Sequence, residues 1–180
     1  MEIGVHRGNF SAKILSVAAP RKLHLVDPWL FRDEPAYSRA LYGRAGALEG
    51  QKTVDERYQA VEERFAEAIS AGRVMVHRAR SAEVLGQFAD NSLDWIYIDG
   101  DHTFEAVRID LDLAYRKVRP GGFIFGDDYG KSGWWDNGVT KALHQFLVES
   151  DEQLFFLHGS QFAVRRSESI VAQAGASQAR

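Results

Sequence analysis

Five side chains that could do acid–base or metal chemistry lie in two short segments, 99–102 and 127–128, each directly after an apolar run. Carboxylates at the ends of neighbouring strands suit a hard cation such as magnesium, so Asp99, Asp127 and Asp128 are candidate metal ligands. His102 is a candidate general base, because histidine titrates near neutral pH. The alternative is structural: the acids begin turns or cap helices, and His102 caps a helix or packs.

A glycine turn near the start of the sequence is a candidate ligand-binding loop. Gly4 ends an apolar segment and Gly8 follows four residues later, so the backbone can approach a ligand closely. The dinucleotide-binding fingerprint has a further glycine where this chain has His6, which disfavours a pyrophosphate here. Nineteen residues after Gly8, Asp27 suits hydrogen bonds to a ribose diol and equally suits an Asp-Pro turn.

Apolar periodicity predicts strands that alternate with helices. Strands are predicted at 1–4, 23–26, 74–77, 93–98, 123–125, 154–157 and 161–164. Helices are predicted at 9–17, at 53–72 behind a capping box that starts at Thr53, from a cap at Ser81, at 104–118 with a stop at Pro120-Gly121-Gly122, and around 139–147. This order predicts an α/β, Rossmann-like, doubly wound and mostly parallel sheet that ends in an antiparallel hairpin.

The predicted sheet brings its functional candidates to one edge, because ligands bind at the carboxyl ends of strands in such folds. The first strand is unusually short, so we expect the natural sequence to begin upstream, unless the short strand is genuine. Residues 1–166 are predicted to form one domain and 167–180 a flexible tail. Within the domain, 28–52 is predicted to be an irregular insertion that covers a substrate, with simple core covering as the alternative.

Composition limits the classes of protein to consider. The chain has 180 residues, 45% hydrophobic, a net charge of −3 and no cysteine. These values exclude disulfide scaffolds, thiolate metal sites and cysteine nucleophiles. They give no case for a nucleic-acid or membrane partner, and we find neither an apolar span nor a secretory signal. The sequence therefore predicts a soluble, cytoplasmic enzyme or binding domain.

Together, these motifs resemble class I S-adenosylmethionine-dependent methyltransferases over residues 1 to about 166. The segment Glu2–Ser11 is similar to their first motif, E-x-G-x-x-x-G-x-x-S, and Leu25–Asp27 to the strand that carries their ribose-binding acid. Arg80–Leu85 resembles the segment beside the adenine, Leu93–His102 the acidic fourth strand, and Arg119–Gly122 the turn before the fifth. The resemblance implies S-adenosylmethionine as cofactor, bound by Glu2, Gly4, Gly8, Asn9, Ser11, Asp27, Arg80, Ser81 and Asp99.

Within that class, the sequence most resembles small-molecule O-methyltransferases of the macrocin and cephalosporin-tailoring kind and, more distantly, the catechol type. Those enzymes hold a divalent metal at positions that match Asp99, Asp127 and Asp128, with Glu-Asp or Asp-Asn where this chain has Asp-Asp. The catechol-type base, a lysine, matches His102. The resemblance implies methyl transfer to a hydroxyl of a sugar-bearing or aromatic small molecule, with His102 and Asp99 as catalytic residues, and leaves magnesium open.

Two other functions stay open at this stage. One is an S-adenosylmethionine-binding module without activity, and the other is a nicotinamide-dependent oxidoreductase, which the missing middle glycine disfavours. The expected partner is a small-molecule acceptor that the sequence does not identify. Assembly of identical subunits is left open.

Overall fold

The computed structural model describes residues 1–168, so the predicted tail lies outside the described residues from position 169 onward. The strands are β1 (Glu2–Ile3), β2 (Leu23–Asp27), β3 (Val74–Arg78), β4 (Leu93–Ile98), β5 (Val118–Gly126), β6 (Leu154–His158) and β7 (Gln161–Arg165). The helices are α1 (Asn9–Val17), α2 (Gln51–Arg64), α3 (Ala66–Ser70), α4 (Ser81–Leu85), α5 (Phe104–Lys117) and α6 (Gly138–Ser150).

The strands form one sheet in the order β3-β2-β1-β4-β5-β7-β6. The first five strands pair in parallel, whereas β7 runs antiparallel to both β5 and β6. This confirms the predicted doubly wound α/β sheet with its antiparallel C-terminal hairpin. Because β1 lies between β2 and β4, the carboxyl ends of these three strands meet at the middle of one edge of the sheet.

Helices cover the sheet from both sides and bury two apolar clusters. The helices α4, α5 and α6 pack on one face around Leu111, Ile124 and Leu143, which are fully buried. The helices α1, α2 and α3 pack on the other face around a cluster that includes Val54 and Val61. Burial of one such side chain stabilises the fold by about 1.5–3 kcal/mol. Within residues 1–168, no helix is both long and apolar enough to cross a bilayer.

The predicted capping box at Thr53 is wrong. The helix α2 starts two residues earlier, at Gln51, and the hydroxyl of Thr53 accepts a hydrogen bond from the Glu49 backbone N–H outside the helix (3.1 Å). The side chain of Gln51 accepts one from the Phe31 N–H (2.8 Å), which ties the start of the helix to the preceding loop. The predicted single helix is also interrupted, because Phe65 leaves helical geometry between α2 and α3.

The predicted stop at Pro120-Gly121-Gly122 is also wrong, because these residues lie inside β5. The helix α5 ends at Lys117, and β5 starts at the next residue with a register shift opposite Leu93 and Trp95. Proline has no N–H to donate, so it is tolerated in a strand at such an irregularity. Gly121 has a positive φ of 76° and donates its N–H to the Arg166 carbonyl (2.8 Å), which keeps the strand paired.

Residues 28–50 contain no helix or strand apart from a single 3-10 turn at Pro35–Tyr37, whereas positions 51 and 52 of the predicted insertion belong to α2. The segment is not merely a cover, because Trp29 is fully buried in the cluster of α1, α2 and α3 and Ala47 is buried with it. Arg57, a buried residue of α2, holds the later part of the insertion. Its guanidinium donates hydrogen bonds to the backbone carbonyls of Leu41 (2.8 Å) and Gly46. The insertion is therefore anchored at both ends.

Candidate active site

A cleft of about 640 Å³ opens where the carboxyl ends of β1, β2 and β4 meet. Most of the residues predicted to bind a ligand line it, namely Glu2, Gly4, Asn9, Asp27, Arg80, Ser81, Asp99, His102 and Asp128. Gly8, Ser11 and Asp127 do not line it. The irregular insertion supplies one wall, and the loop before α6 supplies Trp134 and Trp135.

Gly4 is the point of closest approach between β1 and the chain after β4. Its φ is +87°, and a Cβ placed on it would lie 1.9 Å from the carbonyl oxygen of Asp99. Its N–H donates to the Val26 carbonyl (2.9 Å), so the residue stays within the sheet on the other side. A side chain at this position would push apart the two strand ends that form the floor of the cleft.

Gly8 has a packing role at the start of α1. Its φ is +70°, and a Cβ there would lie 2.7 Å from the ring of Phe65. The next residue, Asn9, does line the cleft, and its side-chain oxygen accepts a hydrogen bond from Arg64 (2.7 Å). The second glycine of the motif therefore allows α1 to pack against the end of α2.

Glu2 is a buried acid with an unsatisfied oxygen. Its side chain is 1% exposed, it lines the cleft, and its Oε2 has no hydrogen-bond partner within residues 1–168. Burial raises the pKa of Glu2 to about 8; the charge of Asp99 adds to the shift and the nearby Ser11 hydroxyl opposes it. A buried acceptor without a donor lowers the stability of the folded protein, so a cationic or hydrogen-bond-donating ligand would bind favourably at this point of the cleft.

Asp27 is 2% exposed, and both of its oxygens accept hydrogen bonds from the protein. The backbone N–H groups of Val5 (2.9 Å) and His6 (3.0 Å) donate to Oδ2, and that of Trp29 donates to Oδ1 (2.8 Å). The hydroxyl of Tyr42, from the insertion, also donates to Oδ2 (2.7 Å). The carboxylate therefore fixes the glycine turn and the insertion whether or not it also contacts a ligand.

A second group of titratable side chains forms at the end of β4. His102 lies between two carboxylates, with its Nε2 3.2 Å from Asp99 Oδ1 and its Nδ1 3.4 Å from Asp128 Oδ2. One ligand atom from each of these three residues lies within 4.8 Å of the others. Lys131 also binds Asp128 (3.0 Å). Two cationic groups therefore face the two acids, which reduces the repulsion between them.

Asp127 is not part of this group, although the sequence placed it there as a metal ligand. Its Oδ1 accepts hydrogen bonds from Ser160 Oγ (2.5 Å) and the Asp128 N–H (2.7 Å), and its Oδ2 accepts one from Tyr97 (3.3 Å). Asp128 adopts a left-handed backbone with φ of 62°, so the two neighbouring carboxylates take different partners. The structure brings Asp99 and Asp128 together with His102 instead.

The environment shifts the pKa values of the central pair. Burial alone would lower the pKa of His102, but the hydrogen bond to Asp99 and the charges of Asp99 and Asp128 raise it above its ordinary value. Burial raises the pKa of Asp99, and His102 opposes that shift. Each partner thus favours the charged form of the other, as in an oriented acid–histidine pair.

Two residues of the irregular insertion that line the cleft, Tyr37 and Arg32, were not singled out from the sequence. Tyr37 donates to Asp101 (2.7 Å), and Arg32 lies 3.6 Å from the same carboxylate and stacks over the Tyr37 ring. Trp135 packs edge-on against His102, with ring centroids 4.9 Å apart. The loop with Trp134 and Trp135 is the one whose aromatic content indicates an acceptor cover, whereas the segment of Arg32 and Tyr37 carries no periodicity that could have indicated these two residues.

The predicted cap at Ser81 is wrong as well, since Ser81 is the first residue of α4 and its cap position is Arg80. The Ser81 hydroxyl instead donates to Asp110 in α5 (2.5 Å). Asp110 was missed, although the sequence carries a signal for it. It lies three residues after Val107 and four before Ala114, on the apolar face of its helix.

The chain is similar in sequence to known proteins. Residues 1–129 match the family described as methyltransferase domain. A relative from Acanthamoeba polyphaga mimivirus, described as uncharacterized protein R132, is 43% identical over 59 residues. That match covers 33% of this chain and only 26% of the relative, so the chain spans about a quarter of that protein.

Solved structures share the fold at low identity. A protein from Corynebacterium glutamicum has a TM-score of 0.64 at 17% identity, over 93% of this chain and 71% of its own. The O-methyltransferase NovP has a TM-score of 0.59 at 17% identity, with the same coverage of both chains. The N-methyltransferase NodS from Bradyrhizobium japonicum WM9, in complex with S-adenosyl-L-homocysteine, has a TM-score of 0.57 at 14% identity over 93% and 76%.

The family match covers well over half of the chain, and its residues include the glycine turn, Asp27, Asp99, His102 and both aspartates after β5. The fold of the solved structures extends the likeness to the C-terminal hairpin. The chain therefore belongs to the methyltransferase-domain family, in agreement with its resemblance to class I S-adenosylmethionine-dependent methyltransferases.

Proposed function

We propose that this protein transfers the methyl group of S-adenosylmethionine to a hydroxyl of a small molecule. The observation that carries the proposal is Glu2, a buried acid with an unpartnered oxygen on the cleft at the glycine turn. A ligand with a positively charged amino group would satisfy that oxygen, and the amino-acid end of S-adenosylmethionine has such a group. Gly4 keeps the floor of the same site free of side chains.

The acceptor would lie at the other end of the cleft, beside His102. When bound, S-adenosylmethionine supplies a methyl group on a positively charged sulfur. Neutral His102 takes the proton of the acceptor hydroxyl, while Asp99 accepts a hydrogen bond from the ring and stabilises the resulting imidazolium. The aromatic rings of Tyr37, Trp134 and Trp135 line this end, which suits an aromatic ring or the apolar face of a sugar.

Magnesium assistance is not part of the mechanism, because the donor set does not fit it. The predicted ligand Asp127 is held by Ser160 and Tyr97, and a set of two carboxylates with an imidazole is not the all-oxygen set that magnesium prefers. Asp128 is further neutralised by Lys131. Full methyl transfer in the presence of a chelator is therefore the expected result, and loss of turnover that added magnesium restores would overturn it.

The test of the cofactor site is calorimetry with S-adenosylhomocysteine on wild type, Glu2→Gln and Glu152→Gln. Glu152 is the matched control, because it is also a buried glutamate but binds Tyr115 and Ser167 away from the cleft. Glu2→Gln should weaken binding at least about tenfold, since bonds to a charged group contribute about 1.5–3 kcal/mol. Equal affinity in Glu2→Gln and wild type would reject the placement.

The acceptor class is tested by turnover on a panel of phenols, catechols and glycosides with S-adenosylmethionine as donor. Turnover of a hydroxylated compound would support the proposal. Transfer only to amines would favour an N-methyltransferase. Binding of S-adenosylhomocysteine without turnover on any compound would favour a binding module.

A further inference from the structure

Within the irregular insertion, residues 33–41 form a loop whose two ends are joined at its base. The Arg32 N–H donates to the Tyr42 carbonyl across this base (2.8 Å). The hydroxyl of Tyr42 in turn donates to buried Asp27 (2.7 Å), which ties the base to the sheet. By contrast, residues 33–36 are exposed. The loop therefore has a fixed base and a solvent-exposed tip.

Two side chains attach this loop to the opposite wall of the cleft. The hydroxyl of Tyr37 donates to Asp101 (2.7 Å), and the Arg32 guanidinium lies 3.6 Å from the same carboxylate oxygen. That guanidinium also lies 3.7 Å from the centre of the Tyr37 ring, so the two side chains support each other. The other oxygen of Asp101 accepts the Thr103 N–H at the start of α5 (2.9 Å). Asp101 is therefore a fixed point of attachment for the loop.

A row of aromatic contacts continues from the loop to His102. The ring centroids of Tyr37 and Trp134 are 4.8 Å apart, those of Trp134 and Trp135 are 5.7 Å apart, and those of Trp135 and His102 are 4.9 Å apart. All four side chains line the cleft. Because each ring contacts the next, the row closes this side of the acceptor end. An acceptor that enters here has to separate Tyr37 from Trp134.

We propose that residues 33–41 are a lid over the acceptor end of the cleft, with Asp101 as its latch. The lid opens when Tyr37 and Arg32 leave Asp101, and it closes over the bound acceptor to exclude water from His102. The inference rests on the proposed function, because it assumes an acceptor beside His102. Opening breaks a hydrogen bond, a partly exposed ion pair and a ring contact, whereas the base of the loop stays in place.

Distances across the cleft test the latch without any ligand. The chain has no cysteine, so two spin labels can be attached at chosen positions. Ala36→Cys puts one label on the exposed tip of the lid, and Ser132→Cys puts the other on the exposed loop before α6. Pulsed electron paramagnetic resonance measures the distances between them. Tyr37→Phe with Arg32→Gln removes both contacts of the latch and should raise the ratio of long to short distances at least about tenfold.

The matched control makes the same pair of changes away from the cleft, as Tyr115→Phe with Arg166→Gln. The Tyr115 hydroxyl also donates to a carboxylate, that of Glu152 (3.2 Å), and the Arg166 guanidinium lies 4.8 Å from the centre of its ring. Neither residue lines the cleft, so this control should leave the distances unchanged. If the latch variant has the same distances as the labelled parent protein, the latch is overturned.

Kinetics separate the lid from the proposed function. In the latch variant, the KM for a panel acceptor should rise at least about tenfold, because an open lid no longer retains the acceptor. Affinity for S-adenosylhomocysteine should stay within about twofold of wild type, since the lid covers the acceptor end. An unchanged KM, or an equal loss of affinity for S-adenosylhomocysteine, would overturn the lid. If wild type turns over no compound, the proposed function fails, whereas the distances still decide whether the latch exists.

Discussion

The two ends of the cleft are built from different kinds of contact. At the glycine turn, backbone N–H groups of three residues hold the carboxylate of Asp27, and a backbone carbonyl leaves no room for a side chain on Gly4. The other end of the cleft, called the acidic end here, contains Asp99 and Asp128. At this end, the side chains of His102 and Lys131 hold the two carboxylates, and no backbone group takes part in these contacts. The first end is therefore held by main-chain groups whose positions the fold sets, whereas the second is held by contacts between side chains.

The largest expected effect is on the rate, at the acidic end. Replacing His102 with Gln removes the proposed base and should lower turnover at neutral pH by about 10²–10⁴-fold, with little change in cofactor affinity. Initial rates with a panel acceptor measure the effect. His144→Gln is the control, because this exposed histidine bonds only Tyr129 among the described residues. If His102→Gln keeps a third of the wild-type rate, His102 is not the base.

The pH dependence of the same variant sharpens the assignment. Since the pKa of His102 is raised, its neutral form appears only as pH rises above the ordinary histidine value, so the wild-type rate should climb through that range. His102→Gln should lack this step and recover at higher pH, where the acceptor ionises unaided. The charged pair also stabilises the fold below the unfolded pKa, and that contribution should disappear as pH rises through the folded pKa.

The next effect compares two glycines with positive φ. Gly4→Ala should destabilise the protein by about 3 kcal/mol or more and abolish binding of S-adenosylhomocysteine, because the new Cβ meets the Asp99 carbonyl. Gly72→Ala has a similar φ of +67° but nothing within 4 Å of its Cβ, so it should lose only about 1 kcal/mol. Urea unfolding measures both. Equal losses of stability in the two variants would mean that the close approach of Gly4 to the Asp99 carbonyl does not limit the residue at position 4.

A third comparison concerns the loss of stability when one aspartate from each end of the cleft, Asp27 or Asp128, is replaced with asparagine. Asp27→Asn should lose about 1–3 kcal/mol without any ligand, because an amide cannot accept all four of the hydrogen bonds that the carboxylate accepts. Asp128→Asn should change stability by less than about 0.5 kcal/mol, because asparagine tolerates its left-handed backbone. Urea midpoints measure both changes. A larger loss for Asp128→Asn would reverse the comparison drawn between the two ends.

How far the sequence could predict the site follows the same division. The glycine turn, Asp27 and the alternation of strands and helices were predictable because they depend on local backbone geometry and on alternating apolar segments. The sequence could not show which of the adjacent acids Asp127 and Asp128 joins the cluster. The direction of the Asp127 side chain depends on Ser160 in the distant hairpin and on Tyr97 in β4. The cluster therefore contains His102 in place of the predicted Asp127. This difference arises from tertiary contacts, which the spacing of residues in the sequence does not reveal.

The two predicted helix caps were wrong because a contact with a distant residue replaced the local capping hydrogen bond. Thr53 and Ser81 both suit a helix cap, yet Gln51 fixes the start of α2 and Asp110 engages Ser81. Asp110 itself was visible as an acid on an apolar helical face, and its partner was not. Such an acid is worth pursuing in any sequence, because a buried carboxyl requires a donor that the local segment does not supply.

The smallest expected effect concerns proton uptake at Glu2, at the fixed end. Its pKa of about 8 without ligand leaves it mostly protonated at pH 7, and the raised value means that the folded state binds this proton more tightly than the unfolded state. Glu2 should therefore make the ligand-free protein less stable as pH rises from about 4.5 to 8. A cationic amino group beside the carboxylate favours its charged form and lowers the pKa.

Binding of S-adenosylhomocysteine at pH 7 should therefore release about one proton from Glu2. Affinity should rise by up to about tenfold per pH unit between pH 6 and 8, since the proton must leave before the ion pair forms. Calorimetry in buffers of different ionisation enthalpy measures the release, and the difference between wild type and Glu2→Gln isolates the contribution of this residue. Identical proton release in both proteins would mean that Glu2 does not meet the cationic end of the ligand, and that the unpartnered oxygen binds water instead.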